Sequence, residues 1–129
     1  MKKVLTVIVA ALMLFSLAGC SKYSSKYKAI GFVHSNESSS AFMEFYSFDG
    51  KMVFKLNSTG EGALKYTAKL ESGSATVYYD YLDTKSELFT VNSGDKLDSY
   101  GGYVDVGTVY VIVETDGECK NGDFRFSLE

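Results

Sequence analysis

His34 is the only histidine in this chain of 129 residues. A Ser–His–Asp triad would have to use it as the base, and no Gly-x-Ser-x-Gly element holds a nucleophile. A histidine-based metal site fails for want of a second imidazole. His34 stands where an apolar run meets a serine-rich one, so a solvated strand-end residue is expected. Cys119 lies between Glu118 and Lys120 in a polar stretch. The lysine would favour its thiolate and the glutamate would oppose it. A redox cycle would want a resolving cysteine, and there is none. The expectation is a free thiol, in the loop or tucked against the end strands, with intermolecular pairing as the alternative. No catalytic group emerges, and an enzyme is not expected.

The remaining chemistry is in carboxylates and phenols. Asp80, Asp83, Asp95, Asp98, Asp105, Asp116 and Asp123 fall in or beside polar stretches. Calcium takes several oxygen ligands and often binds in the loops of β-proteins. The Asp-x-Asp-x-Asp-Gly spacing is absent. Asp95, Asp98 and Asp105 flank the longest irregular stretch and are the calcium candidates; the bland reading of all these acids is turn residues and solubilising charge. No other cofactor is indicated. Ten tyrosines and nine phenylalanines occur without a tryptophan. Tyr78 and Tyr110 alternate with apolar neighbours on their strands. With Tyr100 and Tyr103 they are candidates for one exposed platform facing a glycan or a protein. The competing reading is cross-strand packing on a second covered face.

The elements that would position these groups read as β-strands. Short alternating runs rich in Val, Tyr, Phe and Thr are separated by Gly, Ser, Asn and Asp. Residues 27–34 form a first candidate strand, and residues 35–40 a loop. Runs 41–48 and 51–57 flank Asp49-Gly50, a pair suited to a type I′ hairpin turn. Met52, Phe54 and Leu56 should point inward, and so should Leu64, Tyr66, Ala68 and Leu70, away from Lys65, Thr67 and Lys69. Val77, Tyr79 and Tyr81 face one way on the next strand, and residues 86–92 follow it. Residues 93–102 read as irregular, and 103–106 as a short strand. The apolar run 108–114 predicts a central strand covered on most of its length. A loop over 116–122 leads to Phe124, Phe126 and Leu128, which alternate with Asp123, Arg125 and Ser127. Eight or nine strands without an amphipathic helix predict an all-β, antiparallel two-sheet sandwich, with a closed barrel as the alternative.

The N-terminus differs in kind. Lys2 and Lys3 precede an apolar run over residues 4–17, the length of a signal-peptide core and short of a membrane span. The run ends in Leu17-Ala18-Gly19-Cys20, which resembles the lipobox of bacterial lipoproteins. That resemblance implies a signal helix over residues 1–19, removed on maturation, and a diacylglycerol thioether with palmitate-type chains on Cys20. Two acyl chains hold a protein on a bilayer where one would exchange. Residues 20–28 would then be the lipidated cysteine and a short polar tether, and 29–129 the folded domain. Ser21 is similar to lipoproteins sorted to the outer membrane of a Gram-negative envelope. In a Gram-positive cell the protein would sit on the outer face of the cell membrane. Taking Lys2 and Lys3 from 13 basic residues leaves 11 against 16 acids, a net charge of −5. That balance argues against a nucleic-acid partner.

One further resemblance concerns the other end. The sequence Gly-Thr-Val-Tyr-Val-Ile-Val from Gly107, a polar turn, then Gly-Asp-Phe-Arg-Phe-Ser-Leu from Gly122 is similar to the last two strands of bacterial pre-peptidase C-terminal domains. The resemblance implies a jelly-roll-like sandwich and assigns no residue roles. The expected function is a lipid-anchored, non-catalytic binding or accessory domain of the bacterial envelope. The alternative is a structural or inhibitory lipoprotein acting by protein–protein contact.

Overall fold

The computed structural model describes residues 22–129; the signal sequence, the lipobox and Cys20 lie outside the described residues. Nine strands account for most of the described residues: β1 Lys26–Ile30, β2 Val33–Asn36, β3 Ser40–Ser58, β4 Gly62–Ser72, β5 Ser74–Tyr81, β6 Thr84–Asn92, β7 Lys96–Val104, β8 Gly107–Thr115 and β9 Cys119–Leu128. Every pairing is antiparallel. No helix among the described residues is long and apolar enough to cross a membrane.

The architecture turns on β3. Its first half pairs with β9, from Ser40↔Ser127 to Phe48↔Cys119, and its second half with β8, from Lys51↔Glu114 to Ser58↔Gly107. β1 and β2 occupy the opposite edge of β3. β8 and β9 therefore lie end to end along one side of β3. The sheet folds over at this seam into two layers. One holds β1, β2, the first half of β3, β9, β4 and β7; the other holds the second half of β3, β8, β5 and β6.

Asp49-Gly50 is thus no hairpin turn. β3 runs straight through it, and Gly50 takes φ of 139° at the bend. Asp-Gly permits positive φ, and that freedom serves a kink inside a strand as readily as a reversal. A Cβ on Gly50 would lie 2.6 Å from the Cα of Tyr27 and closer still to the carbonyl oxygen of Lys26. Glycine is what lets β1 lie against the bend.

The inward sets are as the alternation predicted. Met52, Phe54, Leu56, Leu64, Ala68, Leu70, Val77, Phe124 and Phe126 are buried. The layers meet through aromatic rings: Tyr66 on β4 stacks on Phe89 of β6 at 4.3 Å, and Phe54 on β3 lies 6.1 Å from Phe126 on β9. On β8, Val109, Val111 and Val113 face the core, and Ile112 on the other side is buried as well. That is the central strand its continuous apolar run predicted.

Three other expectations are corrected. The run 27–34 is split into β1 and β2 at Gly31, whose φ is 60°. Residues 93–102 are mostly strand: β7 pairs with β4 from Lys69↔Lys96 to Gly62↔Val104. Only Val104 of β7 is buried, and the inward positions after Leu97 hold Ser99 and Gly101, so the apolar alternation of a half-buried strand breaks off and β7 is hidden in the sequence. The loop expected over 116–122 is only three residues long, because β9 starts at Cys119.

Candidate functional site

The four candidate tyrosines do not form one platform. Tyr78 and Tyr110 lie on β5 and β8, on the outer side of the second layer. Tyr100 and Tyr103 lie on β7, at the far edge of the first. Tyr78 and Tyr110 are half-buried, each under a neighbour. Lys85 Nζ stands 4.4 Å above the Tyr78 ring, and the edge of Tyr23 meets Tyr110 at 5.5 Å.

Tyr23 belongs to the segment expected as a tether. Its described part is a strap laid on the outer face of the second layer. Lys22 Nζ pairs with Asp80 at 3.0 Å and with Asp83 at 2.8 Å. The Tyr23 hydroxyl donates to Asp80 Oδ2 at 2.5 Å, and the Val53 N–H donates to Ser25 Oγ at 2.8 Å. From Lys26 the chain is β1. Asp80 is 3 % exposed beneath this strap. Burial alone would raise its pKa, but hydrogen bonds from Tyr23 and Lys22 outweigh that and lower it. The bond to Asp80 raises Tyr23, and the bonds to Asp83 and Asp80 raise Lys22. The strap's carboxylate contribution is therefore present above the ordinary value near 3.8 and lost as pH falls through the lowered one.

Among the described residues, no segment covers the outer face of the first layer. Strand register sets its residues in three rows across β3, β9, β4 and β7. They are Ser40–Ser127–Lys65–Tyr100, Phe42–Arg125–Thr67–Asp98 and Glu44–Asp123–Lys69–Lys96. Each row spans about 14 Å at the usual strand spacing. Two shallow hollows of about 300 and 350 Å³ meet at Thr67 and Arg125. Arg125 is held in place: Nε donates to Asp123 Oδ1 at 3.0 Å, Nη2 donates to Glu44, and the guanidinium lies 5.2 Å from the Phe42 ring. The bond to Asp123 raises its pKa further. Lys65 stands 5.8 Å from the Tyr100 ring. The face thus offers fixed donors and acceptors beside an exposed phenol ring, which suits a polyhydroxylated ligand. Of its residues, only Tyr100 and Asp98 stood among the sequence candidates. The signal for the rest was the outward set of the two alternating strands, Lys65 and Thr67 against Asp123, Arg125 and Ser127.

The calcium candidates are separated. Asp95 Oδ2 accepts from the Asn92 N–H, and Asp105 Oδ1 accepts from the Val106 N–H, as turn residues do. Asp98 is within β7, whereas Asp105 lies beyond its end, past the bulge at Gly101-Gly102. No group of three metal-ligating side chains occurs among the described residues. His34 is exposed on β2, its ring stacked 4.7 Å from Phe32.

Cys119 is fully buried at the start of β9, not in a loop, and its Sγ donates to the Ser74 carbonyl at 3.3 Å. Burial pushes the thiol pKa up. The folded domain from Lys22 onward, which lacks Cys20, should therefore resist an aromatic disulfide reagent at pH 8, and one thiol should react on denaturation. Rapid labelling of native protein would contradict this placement.

A scan against protein-family profiles finds no match, and a search of curated proteins finds no similar sequence. Solved structures are similar in fold. A family 61 carbohydrate-binding module in complex with β-1,4-galactotriose aligns over 81 % of this chain and 87 % of its own, with TM-score 0.50 and 13 % identity. A family 29 carbohydrate-binding module covers 81 % of this chain and 75 % of its own, with TM-score 0.39 and 14 % identity. A ruminal GH26 endo-β-1,4-mannanase matches 64 % of this chain through 19 % of its own length, with TM-score 0.42 and 15 % identity. The fold is that of an antiparallel, jelly-roll-like β-sandwich.

Proposed function

We propose that this chain is a lipid-anchored, extracytoplasmic module of the bacterial envelope that binds a glycan without turning it over. The observation that carries the reading is the open face of the first layer. Three polar rows lie there with the Tyr100 ring exposed and no other described segment laid over them, while the strap occupies the corresponding face of the second layer. The β-1,4-galactotriose of the family 61 module makes β-1,4-galactan the first polysaccharide to try. β-Mannan and peptidoglycan fragments should be tried beside it. Binding followed by calorimetry should weaken at least tenfold in both Tyr100→Ala and Arg125→Ala, with no change in melting temperature beyond a few degrees. Retained affinity in both variants would remove the site from this face.

The anchor is supported by Leu17-Ala18-Gly19-Cys20. Cys20→Ser should abolish incorporation of labelled palmitate and leave the precursor uncleaved. Normal lipid labelling of that variant would end the reading. A second reading, contact with another protein, is favoured by the exposed Ile30, Val33 and Tyr46 at the β1–β2 edge. Lysine at Ile30 and Val33 should disrupt such a complex and leave glycan binding intact.

A further inference from the structure

We infer that the end of the sandwich carrying Leu82, Tyr103 and Val106 rests on the lipid bilayer. The inference depends on the lipid anchor proposed above and on nothing in the glycan reading. Cys20 is two residues before Lys22, so its Cα is within about 7 Å of that of Lys22. Lys22 is pinned by Asp80 and Asp83 beside the β5–β6 turn. An anchor on Cys20 would therefore attach within two residues of this end of the fold.

That end exposes apolar side chains. Leu82 is 72 % exposed, Val106 63 % and Tyr103 81 %. The Tyr81 hydroxyl ties their loops together: it donates to the Val106 carbonyl and accepts from the Asp105 N–H, both at 3.1 Å. Leu82 and Asp83 hold φ of 53° and 62°, the turn geometry for which Asn-Gly is the usual choice. A leucine at that position keeps an apolar side chain at the tip against its backbone preference. An aliphatic side chain in the acyl boundary and a tyrosine at headgroup level are what a bilayer surface accepts. Glu61, Asp105 and Glu129 line the hollow beside Tyr103. Anionic lipid would repel them, so the surface in question is zwitterionic, and the tether rather than charge brings it close. The open face of the first layer would then stand upright from the membrane, accessible from the side.

The test uses the mature, acylated protein, beginning at Cys20, in phosphatidylcholine vesicles. Leu82→Cys and Asp116→Cys carry an environment-sensitive fluorophore, the native Cys119 being buried. Asp116 follows β8 at the opposite end. Lipid-borne nitroxide should quench the Leu82 probe several-fold more than the Asp116 probe. Adding Tyr23→Ala and Asp80→Asn should erase most of that difference. Equal quenching in protein whose mass includes the acyl chains overturns the orientation. Protein whose mass lacks them overturns the anchor and this inference with it, and leaves the glycan reading to its own measurement.

Discussion

Phe124→Ala should lower the unfolding free energy by about 3–5 kcal/mol, the range for truncating a fully buried phenylalanine. Phe124 is the central ring of β9 and has no exposed surface. It lies between Phe45 of its own layer, at 6.2 Å, and Phe89 of the other, at 6.5 Å. Removing it leaves a cavity bounded by two stiff sheets that cannot close together, since β3 carries hydrogen-bonded partners in both. A domain of this size holds only about 5–15 kcal/mol. Urea unfolding followed by tyrosine fluorescence should show the midpoint falling with the slope unchanged. A loss below about 1 kcal/mol would mean that the two layers do not meet at this ring.

Gly50→Val should be comparably damaging, by about 3 kcal/mol or more, through a different cause. The new side chain would overlap the backbone of Lys26 and Tyr27, and a β-branched residue cannot hold φ of 139° without strain. Flexible side-chain ends can move aside; the backbone of a paired strand can do so only by unpairing. The expected result is detachment of β1, read as loss of hydrogen-exchange protection at Lys28 and Ile30 while β8 and β9 remain protected. Because β1 continues directly from Ser25, the strap over Asp80 should loosen with it. Wild-type stability in Gly50→Val would return Asp49-Gly50 to the status of an ordinary turn.

That position also shows where the sequence was legible. Asp-Gly reports a need for positive φ and is silent about whether the chain reverses afterwards. The decision is made by β8 and β9, which lie more than fifty residues away and supply one continuous edge for β3 to run along. Alternation identified the buried sides of β3, β4 and β9 because each has one wet face and one dry one. It missed β7, whose outward Lys96, Asp98 and Tyr100 and paired Gly101-Gly102 look like loop composition. The strap was missed for the same reason: Lys22, Tyr23 and Ser25 are polar, and their partners Asp80 and Val53 become neighbours only once β5, β8 and β3 are assembled. Tyrosines were recognised as surface chemistry, yet only Tyr100 stands on the open face. Which face is open depends on the strap. The row of Phe42, Arg125, Thr67 and Asp98 is set by register across four strands, which no single strand encodes.

The long third strand also sets when the protein can fold. β3 is complete at Ser58, yet its partners along one whole edge are the last two strands of the chain, through pairs such as Met52↔Val113 and Ser40↔Ser127. Contacts of such wide sequence separation slow folding, because loop-closure entropy must be met before the pairing is gained. A nascent chain that has not reached β8 has no second edge for β3 and can close neither layer. Pairing of the second layer therefore waits for β8, and pairing of the first layer waits for β9.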